Sequence, residues 1–338
     1  MNYKSYSYYF LGLFISLFVY SCNNPKEVKE IVSEETQKSV NKSEILLEYL
    51  KKTGDFINNK KVPAMIKTEE VFKNLDKYLI IDLRKKEDFV SGHIKGAKNV
   101  EMKNLLSFLE KDVTPSEFKK IVMVCYSGQS ASYSASVLRL LSYENVYAMK
   151  WGMSSWDKAS AEKKWASKIS NKYANKLETK SNPKNAKGDY PVIETEKTTG
   201  NDILEERAAK VLSEGFKKFI VKADDVFASP EKYYIINYWP KEKYDLGHIP
   251  GSVQYDPKKS LGTATFLNTL PTDKPILVYC YTGQHASFVA AYLRILNYDA
   301  RVLVYGANGF MNGEMVKRDA KKWHAFTKKK ILNYKLEK

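Results

Sequence analysis

Ile121-Val122-Met123-Val124-Cys125-Tyr126-Ser127-Gly128-Gln129-Ser130-Ala131-Ser132 and Ile276-Leu277-Val278-Tyr279-Cys280-Tyr281-Thr282-Gly283-Gln284-His285-Ala286-Ser287 are two copies of one stretch. In each, a short apolar and β-branched run reads as a buried strand. The residues that follow, Ala131 to Leu141 and Ala286 to Leu296, have helical periodicity. Each cysteine therefore stands where a strand ends and a helix begins. There, loop N–H groups and the positive end of the helix dipole converge on the sulfur, which favours a thiolate and a bound anion.

Working outward, the copies belong to a longer repeat. An offset of 155 pairs Asp82 with Asn237, Glu87 with Glu242, Gly92-His93-Ile94 with Gly247-His248-Ile249, Cys125 with Cys280 and Arg139 with Arg294. One register held so far implies duplication of a whole domain. Each copy opens with an amphipathic helix (Ser43 to Phe56; Asn201 to Phe216). A short extended piece with a turn of helix follows (Met65 to Leu75; Ile220 to Ala228), then an apolar strand (Tyr78 to Leu83; Tyr233 to Tyr238). Beyond the Gly-His-Ile turn come a helix (Lys103 to Glu110; Thr263 to Thr269), the cysteine unit and a last strand (Val146 to Lys150; Arg301 to Tyr305). Alternation of this kind predicts an α/β fold: two tandem domains, each a parallel sheet flanked by helices on both faces. Ligand sites in such sheets lie at the carboxyl ends of the strands, where both cysteines fall.

The expected division is a leader over 1–21, a flexible tether over 22–42, domains over 43–168 and 200–326, a linker over 169–199 and a basic tail over 327–338. Lys4, the apolar run Phe10 to Val19 and the small Ser21 before Cys22 fit an export signal too short to span a membrane. Val19-Tyr20-Ser21-Cys22 resembles the lipobox of bacterial lipoproteins, with Cys22 as the lipidated residue. That resemblance implies a lipid anchor at the cell envelope, outside the cytoplasm. Asn23 to Asn41 is polar and free of aromatics, as a tether would be. With Cys22 consumed, the remaining two of the chain's 3 cysteines make no disulfide framework and read as working thiols.

The net charge is +16. Much of it lies between Asp157 and Asp189, with nine Lys against four acidic residues, and between Lys317 and Lys338, with nine basic against two. Solvated faces, an anionic membrane surface or small anionic substrates would each account for this; nucleic acid is not expected, since no binding motif accompanies the charge.

Asp82-Leu83-Arg84, Glu87, Gly92-His93-Ile94-Lys95-Gly96-Ala97, the Cys125 loop and Lys150-Trp151-Gly152-Met153-Ser154-Ser155-Trp156 together resemble a rhodanese domain. Glu242, Gly247-His248-Ile249-Pro250-Gly251-Ser252, the Cys280 loop and Gly306-Ala307-Asn308-Gly309-Phe310 resemble it a second time. The resemblance implies sulfurtransferase chemistry: a thiolate takes a sulfane sulfur from thiosulfate or a similar small anion, becomes a persulfide, and hands the sulfur to a thiol or cyanide. Cys280 and Cys125 would be the nucleophiles. Tyr281, Thr282, Gly283, Gln284, His285, Tyr126, Ser127, Gly128, Gln129, Ser130 and Arg84 would bind substrate, with neither cofactor nor metal. His93 and His248 read as structural hydrogen-bonding residues. Phosphatase relatives of the fold need an Arg six residues after the cysteine, where this chain has Ala131 and Ala286. Thiosulfate-type loops carry a cation at the fifth or sixth position, but Gln129, Gln284 and Ser130 are uncharged, and only a protonated His285 would supply one. Loops without a cation also resemble those of mercaptopyruvate-using relatives, which leaves the donor open. A non-catalytic binding or sulfur-sensing module is the alternative from outside enzymology.

Overall fold

A computed structural model of the chain describes residues 41–338, so the expected leader, Cys22 and nearly all of the tether lie outside the described residues. Among the described residues no helix is long and apolar enough to cross a membrane.

Each half forms a five-stranded sheet. The first contains β1 (Met65–Ile66), β2 (Tyr78–Asp82), β3 (Lys98–Asn99), β4 (Lys120–Val124) and β5 (Val146–Met149), in the order β1-β5-β4-β2-β3. The second contains β6 (Ile220–Val221), β7 (Tyr234–Asn237), β8 (Val253–Gln254), β9 (Ile276–Tyr279) and β10 (Ala300–Leu303), in the order β6-β10-β9-β7-β8. Every pairing is parallel. The strands leading to the cysteines, β4 and β9, are central, and Ile121 to Val124 and Ile276 to Tyr279 are fully buried. Helices cover both faces of such a strand, which is why it reads as an unbroken apolar run.

Two details depart from the sequence reading. The stretch Thr263 to Thr269 forms only a 3-10 turn, Leu267–Thr269, so the second half has no counterpart of the Leu105–Lys111 helix. The 155 offset also becomes 154 at the last strands: Ile121 pairs with Val146, but Ile276 with Ala300. The preceding turn is one residue shorter in the second half, which moves the strand from the expected Arg301 to Tyr305 back to Ala300–Leu303.

The halves share one apolar core. Helix Gln129–Leu140 packs along its counterpart Gln284–Ile295, and Lys42–Lys52 packs on Gly200–Glu214. Both cysteine loops open the first pair, so the fold brings the two candidate sites to a common seam.

The linker and tail are not free spacers. After the first half, the chain runs onto the second, where Glu178 and His248 exchange backbone hydrogen bonds of 3.0 Å. After the second half, it returns to the first, where Glu337 and His93 exchange bonds of 2.9 Å. Each strap places a Leu against the first glycine of a Gly-His-Ile turn, Leu177 at Gly247 and Leu336 at Gly92. Each also sends a Glu carboxylate to the next glycine N–H, Glu178 to Gly251 at 2.7 Å and Glu337 to Gly96 at 3.1 Å. The histidines hold these turns, His93 Nδ1 bonding Phe89 O and His248 Nδ1 bonding Tyr244 O.

Candidate active site

The cysteine loops are built alike. Each runs from the central strand through a left-handed glycine, Gly128 (φ 82°) or Gly283 (φ 73°), into the first turn of its helix. A second left-handed glycine, Gly152 or Gly306, supports the loop from below. A Cβ on either would stand 2.2 Å from the carbonyl oxygen of Cys125 or Cys280, so only glycine fits.

Cys280 is 3 % exposed and lines a cavity of about 230 Å³. The backbone N–H of Ala286 points to its sulfur at 3.4 Å, and the N–H groups of Thr282, Gly283 and His285 favour the thiolate from the same ring. Burial outweighs them: the Cys280 thiol is pushed up from its ordinary value, contrary to the lowering expected from loop and dipole alone. Tyr281 and Thr282 line the same cavity, Tyr281 stacked on Trp239 with centroids 5.1 Å apart.

His285 lines it too, but not as a cation. Burial, then Lys258 and His324, hold its pKa at about 3, so the ring is neutral at physiological pH. Its Nε2 is buried without a hydrogen-bond partner. The charge that the loop lacks comes from elsewhere. Lys258 and Lys150 stand in the cavity wall, Lys150 being contributed by the first half together with Met65. Both ammonium groups are lowered, Lys258 by burial and Lys150 by burial and then Lys330 and Lys67, which raises the benefit of a bound anion. Pattern reading missed these lysines because Lys258 follows β8 and Lys150 follows β5 of the other domain. Lys258 itself takes the left-handed conformation, φ 62°, in the turn after β8.

Cys125 is 2 % exposed and receives the Gly128 N–H at 3.1 Å. Its loop is overlaid by aromatics: Trp165 donates from Nε1 to Ser127 O at 3.1 Å, and Trp165 packs edge-on against Trp151 and Tyr305. Tyr305, from the second half, is pushed up to about 12 by burial and by the charge of Cys125. Tyr126 turns away from the thiol to donate to Asp88, and lines a separate cavity of about 340 Å³ with Arg84. Arg84 commits its guanidinium to Asp82 at 2.7 Å and to Gly92 O at 2.8 Å. Ser130, in the first turn of its helix, is half-buried.

The loop glutamines cross the seam. Gln129 donates to Ser127 Oγ at 3.0 Å and accepts the Tyr305 N–H at 2.9 Å. Its Oε1 would lie 2.3 Å from a Cβ on Gly283, as Gln284 Nε2 would lie 2.0 Å from one on Gly128. Each glutamine thus lies against the other domain's loop. No group of three or more His, Cys, Asp or Glu that could hold a metal occurs among the described residues.

The family model of the rhodanese-like domain matches this chain twice, over residues 67–159 and 227–312, together more than half its length. The chain belongs to the rhodanese-like family. It is similar to the thiosulfate sulfurtransferase GlpE of Pseudoalteromonas translucida, 33% identical over 101 residues, 29% of this chain and 92% of that one. The GlpE protein of Shewanella oneidensis is 35% identical over 83 residues, 24% of this chain and 78% of that one. A solved thiosulfate sulfurtransferase of Pseudomonas aeruginosa is 17% identical, covering 75% of this chain and 45% of that one, at a TM-score of 0.29, a likeness too slight to add to these.

Proposed function

We propose that this rhodanese-like chain is a sulfurtransferase whose principal nucleophile is Cys280. The observation that carries the reading is the cavity at Cys280: a thiol ringed by backbone N–H groups, with Lys150 and Lys258 in the wall. A small dianion such as thiosulfate would bind between the lysines and the amides, and its charge would be screened from the attacking thiolate. Cys280 Sγ then attacks the outer sulfur, the S–S bond breaks, and sulfite leaves with the bonding pair. The persulfide sits where the same N–H groups stabilise its anion. A thiolate or cyanide attacks the outer sulfur, and Sγ recovers the pair. The unpartnered Nε2 of neutral His285 is suited to a hydrogen bond with an oxygen or thiol of the bound molecule. Cys125 is proposed as a second nucleophile, its sulfur receiving the Gly128 N–H from the matching loop. The leader motif ending at Cys22 supports placing the protein at the cell envelope on a lipid anchor.

A second reading, a binding or sulfur-sensing module without turnover, is favoured by the burial that pushes the Cys280 thiol up. Mass spectrometry separates the two. The fully reduced protein, Cys125→Ser and Cys280→Ser are exposed to thiosulfate or mercaptopyruvate, then cyanide. One added sulfur on Cys280, removed by cyanide, is the expected result; addition on Cys125 as well makes both sites working. No added sulfur with either donor would overturn the transferase reading. Sulfur held against cyanide would establish the sensing module.

A further inference from the structure

Beside the Cys280 cavity lies a larger one, about 340 Å³, and the two share Lys150 and His324 as a common wall. Lys67, Lys150, Lys321, Lys329 and Lys330 line it, against a single carboxylate, Glu69. These lysines come from three parts of the chain: the end of β1, the end of β5, and the segment returning from the second half. Among the described residues none of the five makes an ion pair, although eight of the fourteen bridges elsewhere use lysine. Lysines on a convex face separate into solvent at no cost. Here they line a concavity, with Lys67, Lys321 and Lys329 exposed at its rim, and burial and then Lys330 lower the Lys150 ammonium in its wall. An anion lodged in the cleft would relieve the repulsion between Lys150 and Lys330, and its position beyond Lys150 suits the distal end of a molecule whose reactive end reaches Cys280.

We propose that this cleft is a second anion subsite, which holds the carboxylate or phosphate groups of the thiol that accepts sulfur from Cys280. The preferred acceptor is accordingly a multiply charged anionic thiol. In the transfer, the acceptor thiolate attacks the outer persulfide sulfur, the S–S bond breaks, the pair returns to Cys280 Sγ, and the product leaves as a persulfide of the acceptor. The identification of the acceptor rests on the transferase reading above; the subsite itself can be read without turnover.

The experiment compares the full chain in detergent with the triple variant K321Q/K329Q/K330Q. A second triple variant, K210Q/K217Q/K218Q, controls for net charge. The protein is loaded with sulfur from thiosulfate, freed of donor, and discharged with glutathione, coenzyme A or 2-mercaptoethanol, each rate corrected for thiol pKa. The expected result is a preference for the charged thiols that falls about tenfold in the first variant and with added salt, and is retained in the control. Glutathione and coenzyme A distinguish carboxylate from phosphate recognition. Calorimetry with S-methylglutathione and pyrophosphate is expected to show a Kd at least tenfold weaker in the first variant. That measurement stands even where no sulfur is loaded, which would indict the transferase reading alone. Equal preference and equal Kd in all three proteins would overturn the proposal. So would loss of binding to phosphatidylglycerol vesicles with the thiol preference intact, which would make the lysines a membrane contact.

Discussion

Replacing His285 with Gln should make the protein more resistant to acid. The half-buried imidazole lines the Cys280 cavity beside Lys258 with its Nε2 out of solvent, its pKa lowered from the ordinary 6.5 to about 3. A histidine that is neutral when folded and protonates freely when unfolded contributes its full stability above pH 6.5 and loses it as pH falls toward 3. At pH 5 the unfolded chain has gained this proton and the folded chain has not. The gap of about 1.5 pH units below the unfolded pKa then costs about 2 kcal/mol. His324, lowered to about 4 by burial, Lys150 and Lys330, adds a further loss, smaller because part of its ring faces solvent. That loss is common to both proteins and cancels between them. Urea unfolding at pH 7.5 and pH 5 should show the His285→Gln protein losing about 2 kcal/mol less than the parent over that interval. Equal losses would refute the assignment of a buried neutral ring. So would a thiosulfate KM that improves on acidification through pH 6.5 in the parent only, because that is the signature of a cationic His285 holding the donor.

Alkylation of Cys280 by iodoacetamide, followed by mass spectrometry, should accelerate with pH to beyond pH 9 without a plateau, since burial pushes this thiol up; a plateau near neutrality would mean that the ring of N–H groups dominates. Gly306→Ala and Gly251→Ala both place a side chain at positive φ, but only at Gly306 does the new Cβ meet a backbone oxygen, at 2.2 Å. By denaturant unfolding Gly251→Ala should cost about 1 kcal/mol and Gly306→Ala at least about 3 kcal/mol, and equal costs would remove the proposed support beneath the loop. Tyr334→Ala removes a ring stacked on Phe72 at 3.9 Å and edge-on to Trp156 at 5.1 Å. It should destabilise by about 1–3 kcal/mol and open the tail to limited proteolysis; an unchanged digestion pattern would show that the return strap contributes little.

The strands, the cysteine turns and the duplication were legible because each is written in local pattern: apolar runs, a following helical period and a constant spacing. The site was legible only in part. Cys280, Tyr281, Thr282 and His285 meet in one cavity, as a contiguous loop must, but its cations enter from a turn beyond β8 and from the other domain. No periodicity marks a lysine for such a position. The charge state of His285 was likewise invisible, because it depends on solvent exclusion by Tyr238, packed edge-on 4.9 Å away. The straps are the instructive case, since their signal was present. Lys176-Leu177-Glu178 and Lys335-Leu336-Glu337 repeat one tripeptide at a spacing of 159, outside the 155 register, within segments whose composition reads as linker and tail. Their partners are the two Gly-His-Ile turns, where Leu fills the space beside a glycine and Glu bonds the next glycine N–H. Duplication therefore extended past each domain to the segment that fastens it, and each segment fastens the opposite half. The same return segment carries Lys329 and Lys330 to the edge of the cavity that adjoins Cys280. What ties the two domains together thus also lines the cavity next to Cys280 with charge, and Lys150 and Met65 of the first half complete the wall of the cavity that holds the second half's cysteine.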